Sequence, residues 1–482
     1  VGVTVIDRIR ERAAREPAHT ALVSEASGAV VSVTYAELVA RFEAHAARLR
    51  AEGLADGDRC GLVARQGRGF VELALGILAA GGCLAPIPDD HRGPAFDEYL
   101  ERSRLHHVLR EGEPDFRFES RPGVPAVDGA GDRDFRALRP AYLRFTSGTT
   151  SRRKGVLLGH DAIIARLAAA NRALAIGPGD RVLWLLPMAH HFVVSILLYL
   201  SEGATILLPS SSLAKPVLAL ASRERATVLY ASPHHYELLA KDTSGITLPA
   251  VRLAISTAEG LRREVAERFS GRFGLPVAQA LGVIEVGLPV VNLEAAASKP
   301  EALGRPLPDY EVWLRGEDGA PLRGATSPAR TGEICIRGPG HLDAYIDPWL
   351  PAAAVLEPDG FRTGDQGWFD ADGDLRLVGR RASRISMAGM KFFGEEVEAV
   401  IDTHPAVRES RVFGREHAHL GEIPAAEIVP LDPAHPPGRA ELAAFCRERL
   451  PGYKVPREFR VVSELERTSS GKVRRASAPR SA

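Results

Sequence analysis

The stretch FTSGTTSRRKGV, from Phe145 to Val156, brings the hydroxyls of Thr146, Ser147, Thr149, Thr150 and Ser151 together with Gly148 and Lys154 in one loop. That set matches the needs of a polyphosphate. Glycine allows close backbone approach, hydroxyls and free N–H groups donate to phosphate oxygens, and lysine supplies a point charge. The order differs from a Walker A loop, because Lys154 is followed by Gly155 and Val156 rather than Ser or Thr. His190 and His191 are adjacent, which is not metal-ligand spacing on a helix or a strand. Read alone, each fits a buried, hydrogen-bonded structural histidine.

The elements around the loop alternate. A helix follows Thr34 and Tyr35, with Leu38, Phe42 and Leu49 on one face and Gly53 at its end. A strand over Cys60 to Val63, an amphipathic helix over Phe70 to Ala80 and a strand over Cys83 to Ile87 come next. Beyond the loop, Asp161 to Ala173 reads as a helix, and Arg181 to Leu186 and Ala204 to Leu208 as strands. The expected fold class is α/β, with a largely parallel sheet covered on both faces. From Gly304 onward Pro and Gly punctuate short strands such as Glu333 to Arg337, giving a β-rich subdomain over about 304–379. A small α+β domain over 380–482 follows a junction at Arg380 to Ser383, with helices at Glu395 to Asp402 and Ala440 to Leu450.

Composition narrows the classes of function. With 482 residues, 45% hydrophobic and 25% charged, the chain is a multidomain globular protein. Its 61 basic and 61 acidic side chains balance, so neither nucleic acid nor an anionic membrane is an expected partner. Cys60, Cys83, Cys335 and Cys446 show no CxxC spacing and fit a reducing cytoplasm. The apolar run from Val182 to Leu200 contains Pro187, His190 and His191 and is not a membrane span. The charged, amphipathic N-terminal segment lacks the apolar core of a secretory signal.

The loop resembles the phosphate-binding signature of the adenylate-forming superfamily: acyl-CoA synthetases, adenylation domains of nonribosomal peptide synthetases, and luciferases. Ser151 and Arg153 stand where that family usually has glycine and proline. The resemblance covers nearly the whole chain, in the family's order. It implies a large N-terminal domain over 1–379, which includes the β-rich subdomain, and a small mobile C-terminal domain over 380–482. Thr146, Ser147, Gly148, Thr149, Thr150 and Lys154 would hold the phosphates. Leu281, Gly282, Val283, Ile284 and Glu285 resemble the adenine and magnesium element. Glu285 would be the Mg²⁺ ligand and Leu281 would replace the aromatic residue that stacks on adenine, while Ile284 lacks the usual hydroxyl.

Phe361 to Asp365 resembles the element whose aspartate binds ribose, with Arg380 as a second ribose contact; Ala382 departs from the family hinge. Asp372, Gly373 and Asp374 read instead as a turn. Ser386 to Glu398 resembles the thiol-transfer loop around Gly389, with Glu395, Glu396 and Glu398 as helix-start charges. Lys472, after Ser470 and Gly471, would be the catalytic lysine.

The implied reaction is a two-step ligation using ATP and Mg²⁺. An acid is adenylated, then passed to the thiol of coenzyme A or a carrier-protein pantetheine. The acid pocket falls on His190, His191, Thr257, Ala258 and Val283. The segment from Pro187 to Phe192 has no carboxylate to pair with an α-amino group, which favours an aryl or small acid. Ser256, Glu259 and Leu261 match the form seen in benzoate-type ligases; Thr257 and Ala258 are bulkier than usual, which suits a shallow pocket. Two alternatives remain open. One is an ATP-dependent activator with a non-thiol acceptor or an oxyanion such as nitrite. The other is a noncatalytic nucleotide-binding homologue.

Overall fold

A computed structural model describes all residues except 1, 27–28, 89–90, 92, 113–114, 125–131, 147–153, 329, 359, 381–382, 389, 418, 468–472 and 475–482. The chain packs as two compact units. The first holds Val1–Thr146, Lys154–Val312 and Ile336–Phe361; the second holds Trp313–Cys335 and Arg362–Ala482.

Two large sheets organise the first unit. In the nine-stranded sheet, six neighbouring strands run parallel: Val277–Val283, Leu253–Ser256, Val228–Ala231, Arg181–Trp184, Thr205–Leu208 and Thr20–Ala26. Antiparallel strands close both edges: Gly287–Val291 and Arg305–Pro306 on one side, Ala29–Thr34 on the other. All the parallel strands end on one side of the sheet, which is where ligands gather in open α/β folds. The eight-stranded sheet has a parallel centre of Pro140–Phe145, Cys83–Pro86, Arg59–Val63 and His107–Glu111. The central strands are buried and rich in branched apolar residues, as a sheet covered on both faces requires.

Local signals explain several boundaries. Thr34 caps the helix Tyr35–Ala51 in a capping box with Glu37, and the helix buries Leu38, Phe42 and Leu49 along one stripe. The helix Arg68–Ala79 differs from the expected amphipathic one, because every residue from Phe70 to Ala79 is buried. A helix covered on all sides needs no polar stripe, so its periodicity misleads. The strand expected to reach Leu186 stops at Trp184.

The strands Phe361–Phe369 and Leu375–Arg380 pair antiparallel within a four-stranded sheet. A five-stranded sheet follows. Its long hairpin of Val407–His417 and Gly421–Pro430 packs with the helices Gly394–Ile401 and Arg439–Arg447 around Ile385, Phe392, Val397, Ile428 and Leu442. Among the described residues, no helix is long and apolar enough to cross a membrane.

Candidate active site

The hydroxyl-rich loop joins two antiparallel strands, Pro140–Phe145 and Gly155–Gly159. Its stems are tied twice: the Thr146 amide donates to the Lys154 carbonyl at 2.8 Å, and the Lys154 amide to Thr146 Oγ1 at 3.3 Å. Ser147, Gly148, Thr149 and Thr150 lie outside the described residues. The Lys154 ammonium is exposed and stands 4.7 Å from the centre of the Tyr345 ring. A cation over an aromatic face is attracted by the ring quadrupole, by about 0.5–1 kcal/mol at an exposed site. Strand Ala344–Tyr345 puts this ring in place by pairing with Val156, two residues after the lysine.

The same tyrosine reaches the expected magnesium ligand. Tyr345 Oη donates to Glu285 Oε1 at 3.0 Å. Burial, and then the adjacent Glu285 charge, push the phenol well above its ordinary pKa, so it remains a donor. Glu285 sits on a turn after the strand Val277–Val283, and two bonds fix that turn. Leu342 N donates to the Glu285 carbonyl at 2.7 Å, and Arg166 Nη1 donates to the Ile284 carbonyl at 2.9 Å. Arg166, from the helix His160–Leu174, is 2% exposed and also donates from Nε to the Gly340 carbonyl at 2.9 Å. Burial lowers its pKa to about 10, and Tyr310, Asp343 and Glu285 partly offset that, so it stays charged at neutral pH. It clamps the turn that carries Glu285 to the turn at Gly340. A partly exposed carboxylate held in this way suits a hard divalent cation.

At the carboxyl ends of the parallel strands the expected pocket residues draw together. Gly282 is exposed, and a Cβ built there would meet only Thr257 Oγ1, at 3.6 Å. Thr257 is buried and hydrogen-bonds the Tyr230 hydroxyl. Ala258 takes φ +80°, the left-handed region that costs a residue with a Cβ about 1–2 kcal/mol. Backbone strain of this kind often marks functional segments. Val283 is partly buried, whereas Leu281 is 8% exposed and mostly covered.

His190 and His191 lie on the short helix Met188–His191. His190 is buried, and its carbonyl accepts a bond from Arg144. His191 packs edge-on to Trp184 and Tyr230, at 6.3 and 6.4 Å between ring centres. Trp184 and Tyr230 are stacked at 5.2 Å, and Tyr199 meets both. Trp184, Tyr199, Tyr230 and His191 make up this ring cluster.

Within the second unit, Asp365 and Arg380 face each other in register on neighbouring strands. Asp365 is 8% exposed, and its amide donates to Thr363 Oγ1 at 3.0 Å, while that hydroxyl donates to the Ile334 carbonyl at 2.8 Å. A Cβ at Gly379 would lie 2.6 Å from Glu395 Oε2, so any larger residue would displace that carboxylate. The three glutamates near the helix start have different tasks. Glu395 accepts from Ser383 Oγ at 2.8 Å, Glu396 caps its own helix through the Phe393 amide at 3.0 Å, and buried Glu398 accepts from the Val412 amide at 2.7 Å. Glu396 alone caps the helix, and its other oxygen pairs with Lys454. Gly389 and Lys472 lie outside the described residues.

The sequence model of the AMP-binding enzyme family matches residues 9–346, and that of the AMP-binding enzyme C-terminal domain matches 396–472. The chain belongs to this family, the adenylate-forming superfamily. As a member it is an ATP-dependent, AMP-forming ligase. It is similar to the sulfoacetate–CoA ligase of Cupriavidus necator, with 29% identity over 98% of this chain and 96% of that protein. A feruloyl-CoA synthase of an Amycolatopsis species is 28% identical over 96% of both chains. Among solved structures, the o-succinylbenzoate coenzyme A synthetase MenE of Bacillus subtilis, in complex with AMP, superposes with a TM-score of 0.82 at 25% identity. That match covers 97% of each chain.

Tyr345, Arg166, Tyr230 and Trp184 escaped the sequence reading. None stands in a motif of chemical character, and only strand pairing or helix packing brings them to the site. If Tyr345 positions Glu285, the Tyr345→Phe variant, which keeps the ring beneath Lys154, is expected to raise the Mg²⁺ concentration for half-maximal rate about 10-fold. That follows from losing one bond to a charged group. Magnesium titration of ATP binding by calorimetry checks it, and an unchanged Mg²⁺ dependence would refute the role.

Proposed function

We propose that this AMP-forming ligase activates a small or aryl carboxylic acid without an α-amino group, and transfers it to the thiol of coenzyme A or of a carrier-protein pantetheine. The observation that carries the reading is the meeting of Lys154, Tyr345 and Glu285 in the unit where Thr257 and the ring cluster lie at the strand ends.

In the first step a carboxylate oxygen attacks the α-phosphorus of ATP, and the bond to the bridging oxygen of pyrophosphate breaks. In the second, the thiol sulfur attacks the acyl carbon, its proton passes to solvent, and AMP leaves. Free carboxylates are poor acyl donors, and the mixed anhydride supplies the missing leaving group. Lys154 and the loop hydroxyls would hold the β- and γ-phosphates, Leu281 and Gly282 would border adenine, and Asp365 with Arg380 would hold ribose. Glu285 would hold a magnesium ion, whose chemistry is to neutralise charge on the phosphates. Lys472 would act on the reacting oxygens, with Gly389 on the thiol's path and residues 380–383 as the hinge between the steps. The four cysteines are free and buried, which suits a cytoplasmic setting.

Pyrophosphate release across aryl, short-chain, amino and inorganic acids, with and without coenzyme A, tests this reading. The rings of Trp184, Tyr199 and Tyr230 and the segment Pro187 to Phe192 supply no carboxylate to pair with an ammonium group. Proteinogenic amino acids are therefore expected to be turned over at least about 10-fold less efficiently than their unaminated counterparts, the scale of one missing charged contact. Selective turnover of an amino acid would overturn the specificity; release that does not respond to coenzyme A would point to a different acceptor.

A further inference from the structure

Arg144 is the next-to-last residue of the strand Pro140–Phe145, which runs directly into the hydroxyl-rich loop. Two side chains of this strand hold the short helix Met188–His191: Tyr142 Oη donates to the Ala189 carbonyl at 3.3 Å, and Arg144 Nη1 donates to the His190 carbonyl. With a second bond to the Tyr142 phenol, these contacts use two of the five N–H donors of the guanidinium. The Nε–H is buried and has no acceptor among the described residues. Nor does any described carboxylate form an ion pair with Arg144. Arg8, Arg272, Arg376 and Arg411 also bury an unbonded Nε–H; the last three have a carboxylate at the guanidinium, Asp242, Asp370 and Glu427, whereas Arg8, like Arg144, has none among the described residues. A permanently charged group that is partly out of water is normally paired, because leaving it unpaired forfeits its solvation without compensation.

The position of Arg144 suggests what it pairs with. The short helix that it grips is touched from the other sheet by Trp184 and Tyr230, through the His191 ring. Behind Thr257 the space is filled: Trp184 and Tyr199 are each 1% exposed and Tyr230 is 5% exposed. The ring cluster is therefore closely packed and apolar, and the Arg144 guanidinium stands at the His190 end of the short helix that borders it. A planar guanidinium with free donors is matched to a second oxyanion, which it can bind with two parallel bonds.

We propose that Arg144 is a specificity-determining residue, and that the acid activated here is short and carries a second anionic group, such as a carboxylate or sulfonate. This rests on the acid-activating reading above. The triphosphate of ATP is the other source of oxyanions near this strand. The acid is favoured because Arg144 is bound to the His190 segment, while the phosphates have Lys154 on the opposite stem of the loop.

The test pairs acids of equal length with and without a second anion, succinate against pentanoate and sulfoacetate against butyrate. Pyrophosphate release is measured on the full chain, for the wild type, Arg144→Met and Arg144→Lys. The wild type is expected to favour the doubly anionic member of each pair. In Arg144→Met the loss of kcat/KM for that member should exceed the loss for its partner about 10²-fold. It should be seen in the KM for the acid rather than for ATP, with part of it restored in Arg144→Lys.

Three outcomes would overturn the proposal. An ATP KM raised alike for every acid would show that the guanidinium reads the triphosphate. Equal losses for both members of a pair would show that Arg144 only supports the helix. A wild-type preference for the singly charged acids would show that the second anion is not recognised. Complete absence of pyrophosphate release from a folded wild type, judged by its thermal melt, would instead remove the ligase reading and this proposal with it.

Discussion

Replacing Lys472 with alanine is expected to slow acyl-adenylate formation about 10²–10³-fold while largely sparing transfer of a chemically supplied acyl-adenylate to the thiol. The magnitude is that of losing one preorganised donor aimed at developing negative charge, about 3–4 kcal/mol of transition-state stabilisation. The chain on either side of the lysine is tied down. Arg467 and Val473 form an antiparallel bridge, Arg474 N donates to the Glu466 carbonyl at 2.7 Å, and Arg411 Nη1 reaches the Arg474 carbonyl at 2.6 Å. Alanine at 472 should therefore leave the fold intact and remove only the ammonium group. The two half-reactions must be timed separately, by pyrophosphate release and by thioester formation. An equal loss in both, or none in the first, would reject the assignment.

Asp365→Ala should act on the nucleotide instead. A carboxylate that accepts from both ribose hydroxyls makes two charge-assisted bonds, each contributing about 1.5–3 kcal/mol. Loss of the pair, partly recovered by water, is expected to weaken ATP binding about 10²-fold and to abolish discrimination against 2′-deoxy-ATP. The second effect is the more diagnostic. A general loosening of the strand Phe361–Phe369 would weaken both nucleotides alike and leave their ratio unchanged. Calorimetric titration of the two nucleotides separates the cases, and a retained preference for ribose would remove Asp365 from the site. The fold should tolerate the change, since the Asp365 amide is bonded to Thr363 Oγ1 independently of the carboxylate.

The sequence alone determined the class of chemistry, because that chemistry lies in the types of a few residues close together in the chain. Hydroxyls, Gly148 and Lys154 in one loop announce a polyphosphate wherever the loop is placed. The alternation of helices with short apolar strands likewise announced a parallel sheet, because burial on both faces demands continuous apolar runs. Boundaries were less legible. The helix Arg68–Ala79 is buried all round, so its pattern carries no face, and the strand ending at Trp184 continues into apolar residues that belong to the next segment.

What only the tertiary structure decided is which distant residues meet. Tyr345 and Glu285 are 60 residues apart, and their hydrogen bond exists because strand Ala344–Tyr345 pairs beside the stem that carries Lys154. Arg166 reads as one more charge on a surface helix, yet it is fully buried as the clamp between two turns. Arg144 looks like an ordinary strand arginine until the structure shows that, among the described residues, it has no carboxylate partner. Register and packing determine these encounters. They depend on the summed burial of whole sheets rather than on any local pattern, so a motif can name the reaction while the supporting residues stay hidden until the sheets are assembled.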